Sequence, residues 1–177
     1  MQTLFHSELT FSSVNPVAWH VLLGLTLAFA AALRALKRHV LLLWFAALPG
    51  VAAHELAHWS AAILTNGKPT MPSVIPKKIG PGRYALGHVG VANARWYNAW
   101  IIALAPLLLA PAAFVLLAAA ASGHSWVDLP KWLLASYLAA TMLTECPPSL
   151  EDWKLSMRSF RVQLLLGVVG LAMLGRR

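Results

Sequence analysis

The chain has 177 residues, 59% of them hydrophobic and only 11% charged, with a mean hydropathy of +0.65. Soluble domains carry about a quarter of their residues as charges, so this composition excludes an ordinary soluble domain and predicts an all-α polytopic membrane protein. The net charge of +8 falls in short clusters between apolar runs, as in loops beside membrane spans; nucleic acid is therefore not an expected partner and the lipid bilayer is.

Residues 1–15 are polar and carry no Lys or Arg, so they lack the basic start of a secretory signal. Val17 to Leu33 is the first apolar segment, closed by Arg34, Lys37, Arg38 and His39. Val40 to Leu64 is the second, stopped by Asn66-Gly67. Lys68 to Asn93 follows with eight Gly or Pro residues, which rules out a spanning helix there. Within it, Arg83 to Val91 reads as short strands or a hairpin. Trp96 to Ala121 is the third segment, with Trp96, Tyr97 and Trp100 as interfacial anchors. Trp132 to Cys146 is the fourth, halted by Pro147-Pro148. Val162 to Leu174 is a fifth, short for a full span. The expectation is one membrane-embedded domain over residues 1–177, a bundle of about five transmembrane helices with a re-entrant or hairpin loop after the second.

The second segment carries one acidic residue, Glu55, inside His54-Glu55-Leu56-Ala57-His58. His at i and i+4 lie one turn apart on one helix face, so both imidazoles reach one Zn²⁺, and the Glu beside the first can act as base toward a water at the metal. Lipid makes such groups costly, so an intramembrane carboxylate marks function. At about 1.5 Å per residue, His54 lies roughly 21 Å from the start of its helix and His58 roughly 9 Å from its end. Of the six acidic residues, Glu145, Glu151 and Asp152 cluster near the end of the fourth segment. If residues 65–95 do not cross the membrane, the second and fourth segments run parallel, and this cluster meets the histidines at one end of the bundle. Each of the three carboxylates is then a candidate third ligand. Ser149 to Asp152 also reads as a helix start, with Ser149 as N-cap and Asp152 favoured by the helix dipole.

With these residues the chain resembles the site-2 protease family of intramembrane zinc metalloproteases. That family pairs HExxH on one transmembrane helix with a later Asn-x-x-Pro…Asp-Gly motif on another. The matching segment here is Thr144 to Asp152: Pro147 aligns with the family proline and Asp152 with the ligand Asp. Ala105-Pro106-Leu107 is similar to the family's Gly-Pro-Leu stretch, and the Gly-rich segment before it to a re-entrant β-hairpin. The resemblance covers roughly residues 40–155. Thr144 stands where the family has Asn, Trp153 where it has Gly, and no PDZ insertion is present. The resemblance implies Zn²⁺ on His54, His58 and Asp152, with Glu151 and Glu145 as alternative third ligands. It also implies Glu55 as general base and a membrane-protein substrate unwound for cleavage.

Tyr84 to Val91 is a candidate strand for holding that substrate extended, and His88, Asn93, Asn98 and Thr144 are candidate substrate contacts. His88 also reads as a solvated turn residue, the two Asn as satisfying a helix start, and Cys146 as a small buried filler. The rival readings are a catalytically silent binding or regulatory protein that keeps the fold, and a membrane metal carrier. The first is marked by loss of the base, and Glu55 is present. The second calls for repeated ligand sites along a path, and none is visible. Placing Lys68, Lys77, Lys78, Arg83, Arg95, Lys154, Arg158 and Arg161 at the active-site end of the second segment gives eight basic residues against six at the other. That count points the site toward the cytoplasm, in the inner membrane of a bacterium or archaeon.

Overall fold

In a computed structural model, residues 16–81, 83–122 and 128–174 are described, and they are mostly helical. The helices are α1 (Pro16–Ala35), α2 (Val40–Leu64), α3 (Ala99–Leu104), α4 (Leu109–Ala120), α5 (Leu129–Glu145) and α6 (Leu150–Leu174). A 3₁₀ turn at Ala105–Leu108 joins α3 to α4, making a 22-residue apolar rod over Ala99–Ala120. Of the five expected apolar segments, three form helices long and apolar enough to cross a bilayer: Pro16–Arg38, Val40–Leu64 and Ala99–Ala120.

The packing follows small residues. α1, α4 and α5 close around Ala18, Ala113, Ala120, Ala135 and Ala139, all buried, small side chains that let helix backbones approach closely. The Ser136 hydroxyl donates to Leu22 O across α1 and α5 at 3.2 Å. α2 buries one stripe at three- and four-residue steps: Ala47, Gly50, Val51, Glu55, His58 and Ala62. The helix meets α5 in parallel along the edge of this stripe, as Tyr137 with Ala46, then Thr141 with Gly50, then Glu145 with His54.

α2 ends in a Schellman motif, with Asn66 N–H on Ile63 O (3.1 Å) and Gly67 N–H on Ala62 O (2.6 Å). Asn66 and Lys68 take positive φ (57° and 51°) to reverse the chain. The following segment does form a hairpin, but its strands differ from the expected span. β1 (Lys77–Gly80) pairs antiparallel with β2 (Arg83–Ala85), and single bridges join Ser73 to His88 and Pro69 to Val91. The hairpin runs back along α2: it leaves at Ala62, and Val74 O accepts the Trp44 indole N–H at 2.6 Å. That is 18 residues of helix, about 27 Å. Leu86 and Val74 pack on Leu33, Ala47 and Val51. β1 and β2 therefore lie toward the α1–α2 connection, away from the end where the segment began.

The fifth segment differs more. Instead of starting at Val162, α6 begins at Leu150, because Ser149 and Asp152 form a reciprocal cap. Ser149 N–H donates to Asp152 Oδ2 (2.8 Å), and Asp152 N–H to the Ser149 hydroxyl (3.2 Å). α6 then packs antiparallel on α3, with the Ser159 hydroxyl and the Gln163 amide both donating to Trp96 O. It climbs from the α2 histidines back toward the end where α3 starts.

Candidate metal centre

His58 lies on the buried stripe of α2 and half-buried His54 one turn before it, with ring centroids 4.7 Å apart. Each ring is oriented through Nδ1 by a backbone carbonyl of a different helix: Glu145 O at 2.6 Å for His54, and Ile102 O at 2.7 Å for His58. A carbonyl only accepts, so Nδ1 carries the proton in both rings and Nε2 the lone pair. The two Nε2 atoms face each other at 3.1 Å. Lone pairs at that distance repel unless a cation lies between them.

Asp152 supplies the counter-group. Its Oδ1 is 3.4 Å from His58 Nε2 and its Oδ2 3.9 Å from His54 Nε2, and the three residues offer ligand atoms within 4.8 Å of one another. A tetrahedral ion with bonds of 2.0–2.1 Å has ligand-to-ligand edges of roughly 3.4 Å. Two of the three separations are already near that value, so the donor set fits a divalent metal, with carbonyls fixing the tautomers behind it as such sites require. Burial works to raise the Asp152 carboxyl, while the Ser149 N–H that donates to its Oδ2 favours the charged form. The ligand and helix-start readings of Asp152 coexist, since Oδ2 serves the cap and Oδ1 lies nearest His58.

Glu55 is buried beside the pair. The hairpin comes directly over it: a Cβ on Gly87 would lie 2.7 Å from Glu55 Cγ and 2.8 Å from Oε1, so only glycine lets the hairpin this close. The histidines, Glu55 and Asp152 line a cavity of about 1340 Å³ that also reaches His88, Thr144 and Glu145. Glu151 lines its edge, but its carboxylate pairs with exposed Lys154 at 2.7 Å. Glu145 meets His54 through its backbone. Thr144 lines the cavity, and its hydroxyl turns its one proton back to its own helix, between Ala140 O and Thr141 O (2.9 and 3.0 Å). Asn93 lies outside the cavity lining, with its side chain engaged by Asn66 O and Arg95. Fully buried Asn98 accepts from Arg95 N–H and donates to Thr65 O and Asn93 O, tying the start of α3 to the end of α2.

Sequence reasoning did not single out Gly87 or the carbonyls of Ile102 and Glu145. For Glu145 a signal existed. Pro147-Pro148 offers no N–H to a helix-terminal carbonyl, and the Ser149 N–H is taken by Asp152, so the Glu145 carbonyl is left for His54. No protein-family model, curated protein or solved structure matches the chain.

Proposed function

We propose that the chain is a membrane-embedded zinc metalloprotease, similar to the site-2 protease family, that hydrolyses peptide bonds of membrane-spanning or membrane-adjacent substrates. The observation that carries this reading is the convergence of His54 Nε2, His58 Nε2 and Asp152 beside Glu55, on a helix apolar enough to cross a bilayer. Two imidazoles and a carboxylate are a donor set zinc accepts while keeping one position open. When bound, zinc acts as a Lewis acid toward the scissile carbonyl and makes water acidic enough to be deprotonated near neutral pH.

The chain's own residues supply the remaining steps. Glu55 takes the proton of the water whose oxygen attacks the carbonyl carbon, then delivers it to the amide nitrogen as the C–N bond breaks. The carbonyls of Glu145 and Ile102 keep both imidazoles in the ligating tautomer. A helical substrate has to unwind to present its carbonyl, and the hairpin offers an edge to receive it. His88 exchanges both backbone hydrogen bonds with Ser73 (3.0 and 2.8 Å), so Gly87 and Val89 direct theirs to the other side. If α2 spans the bilayer, the hairpin beside it is re-entrant.

The test is zinc content together with the membrane proteome of cells carrying wild type or Glu55→Gln. Zinc near one per chain in both proteins, with uncleaved substrates accumulating only in Glu55→Gln, is the expected result. Cleavage within a few-fold of wild type in Glu55→Gln would remove Glu55 as the base and the protease reading with it.

A further inference from the structure

We propose that Pro106 is a positioning residue for the metal ligand His58, acting through the carbonyl of Ile102. This rests on the metal reading above and adds a residue that touches neither the ion nor a substrate. In an uninterrupted α-helix the Ile102 carbonyl would point along the axis at the N–H of residue 106, four positions on. Proline has no N–H, so that bond cannot form.

The chain responds locally. It tightens into the 3₁₀ turn Ala105–Leu108, and the Ala105 N–H reaches Ile102 O in its place. That i→i−3 bond uses one lone pair. The other accepts the His58 Nδ1–H from α2 at 2.7 Å. Ile102 is buried in this rod, 2% exposed, so no water competes for the carbonyl. Upstream, Asn98 anchors the same turn: its backbone O accepts the Ile102 N–H at 3.0 Å while its side chain holds Thr65 at the end of α2. The break at Pro106 thus turns one backbone acceptor out of its own helix and toward the neighbouring one.

Pro106→Ala separates this role from simple packing. Alanine is a better helix residue than proline, so the variant restores a backbone donor and straightens the rod, a gain that offsets the small void left where fully buried Pro106 is trimmed. The metal-free full-length variant in detergent is expected to melt at or above the wild-type temperature. Its zinc affinity, measured by chelator competition, is expected to fall ten- to a hundred-fold, the usual cost of losing a group that orients a ligand. The visible absorption of the cobalt-substituted protein should change as well. A merely structural proline would move stability and affinity in the same direction. An affinity within twofold of wild type with an unchanged cobalt spectrum would overturn the proposal, and so would a parallel loss of melting temperature and affinity. Failure of wild type to bind zinc or cobalt would instead bring down the metal reading, and this inference with it.

Discussion

Gly50 and Thr141 bring α2 and α5 into backbone contact one helical turn before His54 reaches the Glu145 carbonyl. A Cβ on Gly50 would lie 2.5 Å from the Thr141 carbonyl carbon and 3.0 Å from its Cβ. Neither can yield without the helices parting by about 1 Å, the shortfall from ordinary carbon contact. The His54–Glu145 bond of 2.6 Å would then stretch past hydrogen-bonding range. Gly50→Ala is therefore expected to cost about 1–3 kcal/mol of stability by overpacking and to lower zinc content. Thermal melts and elemental analysis should be run beside Gly24→Ala, where an added Cβ meets nothing within 4 Å. Equal behaviour of the two variants would show that the crossing does not hold the site.

His54→Ala and His58→Ala should each strip the zinc while leaving the helices folded. Each removes one of three donors, and the remaining two fall short of the three protein ligands a catalytic zinc takes. Elemental analysis of the purified variants decides it, and unchanged zinc in both would end the metal reading.

Gly87→Ala should leave zinc in place and slow turnover. The new methyl would press on Glu55 Cγ and Oε1, and displacing a catalytic group by 1 Å costs roughly a hundred-fold in rate. Retained zinc with lost cleavage is the expected pair of readings. Full activity would mean that the hairpin is held less closely over Glu55.

The three acidic candidates should separate cleanly. Asp152→Asn keeps an acceptor for the Ser149 N–H but loses the charged ligand, so zinc should fall sharply with little change in melting. Asp152→Ala should lose zinc and the cap together, the cap being worth about 1 kcal/mol. Glu145→Gln should keep zinc, because its backbone oxygen is the group His54 uses. Glu151→Ala should be silent, since an exposed ion pair contributes little. Loss of zinc in Glu145→Gln alone would reassign the third ligand.

Much of the site was legible because its signals are local. His54, Glu55 and His58 share a helix, and i, i+4 spacing settles their face. Asp152 was legible twice, from its match to the ligand Asp of the resembled family and from the cap with Ser149. The supporting groups were not, because nothing local says which helix will lie opposite. The Thr141 contact exists only once α2 and α5 have a crossing point. Membrane orientation was the least legible feature. Counting eight basic residues against six placed Lys77, Lys78 and Arg83 with the start of their segment, but the hairpin carries β1 and β2 back along α2 toward the α1–α2 connection. Moving three charges turns eight against six into five against nine and reverses the count. α6 also turns back along α3, where the apolar pattern alone read as a return across the bundle.

The double use of Asp152 bears on how such a site would decay. One carboxylate oxygen closes the first turn of α6 while the other lies nearest His58, so selection for a well-formed helix would preserve this aspartate in a descendant that had lost its metal and its chemistry. The histidines have a second employment too, each donating its Nδ1–H to a carbonyl of a neighbouring helix. In a lineage drifting toward silence Glu55 would be free to vary first, leaving Asp152 and the histidines behind as uninformative traces of the centre.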